Sequence, residues 1–106
     1  MNQSSSLHEA KICSKTLEAR ILTYGASLCE LRLADIPYSL VLGFPDAKDY
    51  HMQSGHFGAI AGPVANRIAG GTATLDGKIL SFEKNENNLN TLHGGAAGTG
   101  RLVWSI

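Results

Sequence analysis

An all-β fold of antiparallel strands, a sandwich or a barrel, is what the sequence predicts, and three observations carry it. Turn signals recur at short intervals, in "YGAS", "ADIP", "GFPDAKDY", "QSGHFG", "AGG", "LDGK" and "NENN", and leave little room for a long amphipathic helix. Segments between them alternate apolar and polar residues, the period of a half-buried strand. One of them, "GTATLDGKILSF", reads as a hairpin around Asp76-Gly77.

The first element, "SLCELRL", places Cys29, Leu31 and Leu33 on one face and Glu30 and Arg32 on the other. "SLVLGF" is a short apolar run and reads as a strand buried on both faces. In the hairpin, a two-residue type I′ turn at Asp76-Gly77 pairs Leu75 with Lys78 and Ala73 with Leu80. Ala73, Leu75, Leu80 and Phe82 then share one face, opposite Thr72, Thr74, Ile79 and Ser81; a one-residue slip scatters that apolar set. "LVWSI" closes the series with Leu102, Trp104 and Ile106 alternating. The sequence stops within this strand pattern, so residues 1–106 are expected to form the opening portion of one larger domain. Self-association through unpaired strand edges is a further expectation.

The 106 residues are 43% apolar and 17% charged, with nine cations against nine anions. This is a globular composition with no basic stripe, so neither nucleic acid nor an anionic membrane is expected as a partner. "MNQSSSLHEA" has no basic or apolar signal region, and no stretch approaches a membrane span. Together with two cysteines, Cys13 and Cys29, read as reduced thiols, this places the chain in the cytoplasm.

In "GPVANRIAGG" the polar pair Asn66-Arg67 stands among small apolar residues and glycines. Such a pair is a solvated face, or it is a donor-rich grip on a polyhydroxylated ligand, to which the guanidinium brings five donors in a rigid fork. In "NTLHGGAAG", His93 precedes two glycines; it is a plain surface or core histidine, or an imidazole presented to a pocket for proton transfer. His51 and His56 lack neighbours at ligand spacing, so no metal site is expected. The glycine pairs match neither a P-loop nor a dinucleotide fingerprint, and no nucleophile elbow is present.

In order and spacing, "YGASLCEL", "LVLGFPDAKDY", "GHFGAIAGPVANRIAGGTATLDGKILSF" and "NTLHGGAAGTGRLVW" closely resemble the amino-terminal part of the aldose 1-epimerase (galactose mutarotase) family. The resemblance runs from about Ile21 to Trp104, and its core is the succession of A-N-R-I, the D-G hairpin and L-H-G-G. It implies a galactose mutarotase-like β-sandwich, or supersandwich, with a hexose bound in an open cleft and no cofactor. It implies an isomerase that interconverts α and β anomers of galactose or glucose. In it Asn66, Arg67 and His93 bind the sugar, and His93 is an accessory catalytic group near the ring oxygen. The principal acid, a second histidine, and the base, a glutamate, are placed by the resemblance beyond Ile106. The chain alone is therefore expected to lack mutarotation, with Glu83 or Glu86 as the replacement base to test if activity appeared; a noncatalytic carbohydrate-binding or structural remnant is the alternative. Two departures bear on sugar preference: Pro63 stands where many members have Arg, and Gly98-Thr99 replaces a Gly-Phe step.

Overall fold

A computed structural model describes residues 7–52 and 55–106. The start of the turn signal "QSGHFG" and most of the segment read for a targeting signal lie outside them. Among the described residues the fold is all-β and antiparallel: one three-stranded sheet, two two-stranded sheets and one short α-helix. The chain divides into two compact units, Met1–Ile60 with Gly100–Ile106, and Ala61–Thr99.

The first unit is a meander of β1 (Glu9–Cys13), β2 (Leu17–Leu22) and β3 (Ser27–Leu33). Turn signals did not mark β1 and β2, and "LEARIL" is built from good helix formers; it is a strand because β1 and β3 satisfy its backbone on both sides. Ser14 closes the β1–β2 turn: its N–H reaches the Leu17 carbonyl at 2.8 Å, and its Oγ accepts the Leu17 N–H at 3.1 Å.

A bulge in β3 opposite Arg20 and Ile21 breaks the alternation read from "SLCELRL". Leu31 faces the apolar side with Ile12, Leu17 and Ala19, whereas Cys29 lines a cavity of the other side with Arg20, Glu30 and Arg32. That places Cys29 in the core, with Leu22, Tyr24 and Tyr50. Burial pushes the Cys29 thiol and the Tyr50 phenol up from their ordinary values. Both cysteines are free, Cys13 exposed and Cys29 buried.

Tyr50 comes from the helix α1 (Ala47–Met52), within a segment read as a turn. The signal was present in Asp46: its Oδ1 accepts the Lys48 N–H at 3.2 Å, an N-cap. Tyr50 is 1% exposed, its hydroxyl accepts the Phe44 N–H at 2.9 Å, and its ring meets Phe44 edge-on.

Two expected strands are corrected. "SLVLGF" is irregular, and Leu42 is 81% exposed; toward β3 the Leu40 N–H donates to the Leu31 carbonyl at 2.7 Å, but the Leu31 N–H goes to Ser39 Oγ at 3.1 Å and not to a carbonyl, so no ladder forms. "LVWSI" makes a single bridge, Val103 to Tyr24, flanked by bonds from Gly25 N–H to Leu102 and from Trp104 N–H to Thr23.

The second unit holds β4 (Arg67–Ile68), β5 (Thr72–Leu75), β6 (Lys78–Ser81) and β7 (Thr91–Leu92). The β5–β6 hairpin has the register read from sequence, Leu75 opposite Lys78 and Ala73 opposite Leu80. Asp76 and Gly77 both have positive φ, 50° and 76°, as a type I′ turn requires. Its apolar face is not buried: Leu75 is 61% and Phe82 38% exposed.

Candidate functional site

The short β4–β7 pair brings together two stretches that the sequence keeps far apart. Arg67 lies opposite Leu92 and Ile68 opposite Thr91, and the His93 N–H continues the ladder to the Asn66 carbonyl at 3.0 Å. The reciprocal bond of a regular ladder would run from the Asn66 N–H to the His93 carbonyl. Instead Asn66 and His93 both turn into the left-handed region, with φ of 64° and 51°, and the Asn66 N–H donates to His93 Nδ1 at 2.9 Å. With Nδ1 accepting, the neutral ring carries its proton on Nε2, which makes that nitrogen a donor.

The backbone behind His93 is tightly packed. Gly94 has φ of 85°, and a Cβ there would collide with the Gly62 carbonyl, which also accepts the Thr99 N–H at 2.9 Å. Asn85 clamps β7 from its other edge, donating from Nδ2 to the Leu92 carbonyl at 3.0 Å and accepting its N–H at 2.7 Å.

Arg67 is not a freely solvated cation. Its Nε and Nη2 both donate to the Glu86 carboxylate, each at 2.6 Å, a side-on bidentate pair. Its Nη1 donates to Asn66 Oδ1 at 3.2 Å. Glu86 sits in a tight turn whose Asn87 and Asn88 adopt positive φ, and Asn90 Nδ2 donates to Glu86 Oε1 at 3.2 Å. The Arg67 fork, helped by Asn90, holds the Glu86 carboxyl below its ordinary value, and Glu86 in turn raises the guanidinium. A carboxylate so held is a poor proton acceptor, which disfavours Glu86 as a replacement base. Glu83 is also engaged, its Oε2 accepting the Ala96 N–H at 3.2 Å.

Sequence reasoning singled out Asn66, Arg67 and His93, and the fold joins all three by direct hydrogen bonds. It did not foresee Glu86, Asn85 and Asn90 as their support. The signal was the asparagine-rich "KNENNLN", in which the sequence offers "NENN" as a turn and Glu86 as a replacement base but no partner for Arg67. In this cluster the acceptors are used internally: His93 Nδ1, Asn66 Oδ1 and both Glu86 oxygens. Asn66 Nδ2, and one N–H on each Arg67 Nη, have no hydrogen-bond partner among the described residues. Such a donor array suits a ligand that offers oxygen lone pairs. Among the described residues, no group of three or more His, Cys, Asp or Glu could hold a metal ion, and no helix is long and apolar enough to cross a membrane.

The antiparallel all-β architecture falls in the galactose mutarotase fold class, as its structural neighbours show. A galactose mutarotase/aldose epimerase homologue from C. elegans superposes with a TM-score of 0.83 at 33% identity, covering 93% of this chain and 31% of that one. Galactose 1-epimerase from Lactobacillus acidophilus superposes at 0.79 with 26% identity, covering 93% and 29%. The family model for aldose 1-epimerase matches residues 9–106, and the chain belongs to that family. It is 36% identical to galactose mutarotase of Sus scrofa over 105 residues, 96% of this chain and 30% of the pig protein. It is 41% identical to the bifunctional protein gal10 of Schizosaccharomyces pombe over 99 residues, 92% of this chain and 13% of that protein. The chain thus spans about 30% of the length of the mammalian mutarotases it matches.

Proposed function

We propose that this chain is the amino-terminal, sugar-holding portion of an aldose 1-epimerase that interconverts the α and β anomers of a hexose such as galactose or glucose in the cytoplasm. The observation that carries this reading is the linked trio of Asn66, Arg67 and His93, whose acceptors are spent on one another and on Glu86. Mutarotation removes the proton of the anomeric hydroxyl and protonates the ring oxygen; the ring opens, the aldehyde end rotates, and the reverse transfers close it on the other face. Negative charge develops on the ring oxygen as its bond to the anomeric carbon breaks. Donors at Arg67 and at His93 Nε2 stabilise that charge without reorganising, because each is pinned from behind.

The family resemblance assigns the principal acid and the base to a histidine and a glutamate outside these residues. Within them, Glu86 is a weak base because Arg67 holds it ionised. We expect residues 1–106 alone to bind a hexose without turning it over. Saturable α-to-β conversion of galactose by this chain in a polarimeter would overturn that division of labour. In a protein carrying the complete catalytic set, Arg67→Ala should lower kcat/KM by about tenfold or more. An unchanged kcat/KM would remove Arg67 from the site.

The same pinning of Glu86 favours one second reading, a carbohydrate-binding remnant without chemistry. Galactose titration of both forms separates the two: a remnant shifts Asn66, Arg67 and His93 resonances but shows no mutarotation even with its full coding sequence.

A further inference from the structure

We propose that Glu86 is a positioning residue for Arg67, fixing which edge of the guanidinium a sugar meets; this rests on the sugar-binding reading above. The carboxylate takes the Nε and Nη2 donors of Arg67 side-on, at 2.6 Å each. An arginine held this way cannot rotate about its terminal bonds, and its unused Nη hydrogens form one fixed edge. Asn66 Oδ1 takes one Nη1 hydrogen at 3.2 Å and so ties that edge to the residue whose N–H holds His93.

Glu86 is itself held on several sides. Its backbone bridges to Asn90, the Asn90 amide donates to its Oε1, and Asn90 Oδ1 accepts the Gly70 N–H at 3.3 Å. Its side chain is 19% exposed, whereas that of Arg67 is 53% exposed, so the anion is the anchor and the cation the presented group. The left-handed Asn87 and Asn88 make the turn that sets Glu86 opposite Asn90. Preorganisation of this kind lowers the ordering cost when a ligand accepts from Arg67.

The test uses the 106-residue chain with galactose as probe and two readouts. Side-chain 15N spectra report whether the Arg67 Nη groups are restrained without sugar; titration reports the dissociation constant. In the native chain the Arg67 Nη signals should be distinct, and Glu86→Gln should average them and weaken galactose binding about tenfold. Glu86→Asp keeps the charge but shortens the arm and should weaken binding by a similar factor. In an Arg67→Ala background, Glu86→Gln should change nothing further. Unchanged Nη signals in Glu86→Gln, an undiminished affinity, or full retention by Glu86→Asp would each overturn the positioning role while leaving the sugar site standing. Absence of any galactose-dependent shift at Asn66, Arg67 and His93 in the native chain would overturn the sugar reading, and the positioning role with it.

Discussion

The two units of this chain are held together by different physics. In the first, a meander and a short helix bury Leu22, Tyr24, Cys29 and Tyr50, and burial of apolar surface does most of the stabilising. In the second, β5 and β6 are exposed along their whole length, and the order around β4 and β7 comes from side-chain hydrogen bonds and left-handed backbone. The candidate site lies in the second. Polar pins fix donors in place without burying the Arg67 guanidinium, which an apolar core could not do.

The largest effect that would sharpen this contrast is expected at Tyr50. Tyr50→Ala should cost about 3–5 kcal/mol in chemical denaturation, through lost burial and a cavity. A cost below about 1 kcal/mol would mean that the first unit is not held by its core. Next comes Gly94→Ala, which combines positive φ with a clash against the Gly62 carbonyl. It should cost about 2–3 kcal/mol and displace the Asn66 and His93 amide resonances. Gly77→Ala is the matched control: its φ is also positive, 76°, but nothing lies within 4 Å of the added methyl, so about 1 kcal/mol is expected. Equal losses at the two glycines would show that backbone strain alone, without packing, governs the second unit.

The smallest effect is a pH dependence at Glu86. Its folded carboxyl lies below the ordinary glutamate value because of the Arg67 pair, so its contribution is complete above that ordinary value. It is lost as pH falls through the depressed folded value. Titration of the Glu86 carboxyl by 13C NMR should give a midpoint below the ordinary glutamate value, and averaging of the Arg67 Nη signals should accompany it. A midpoint at the ordinary value would break the assignment of Arg67 and Glu86 as a fixed pair.

Much of this was legible in advance for reasons of local chemistry. Asp76-Gly77 dictates its own turn and, through it, the register of β5 and β6, because few residues accept two successive positive φ angles. The all-β class followed from closely spaced turn signals, and Asn66, Arg67 and His93 stood out as polar groups beside glycines. Tertiary structure decided the rest. Whether "LEARIL" is helix or strand depends on neighbours on both sides, and in "SLVLGF" a serine hydroxyl, not a carbonyl, takes the Leu31 N–H. The bulge that sends Cys29 to the core needs a partner strand to exist at all. Likewise the Glu86 partner of Arg67 lies nineteen residues away and the His93 partner of Asn66 twenty-seven. Hydrogen bonds across such separations form only when the fold closes the intervening chain, so the sequence by itself determined the donors and the turn, and the fold determined what holds them.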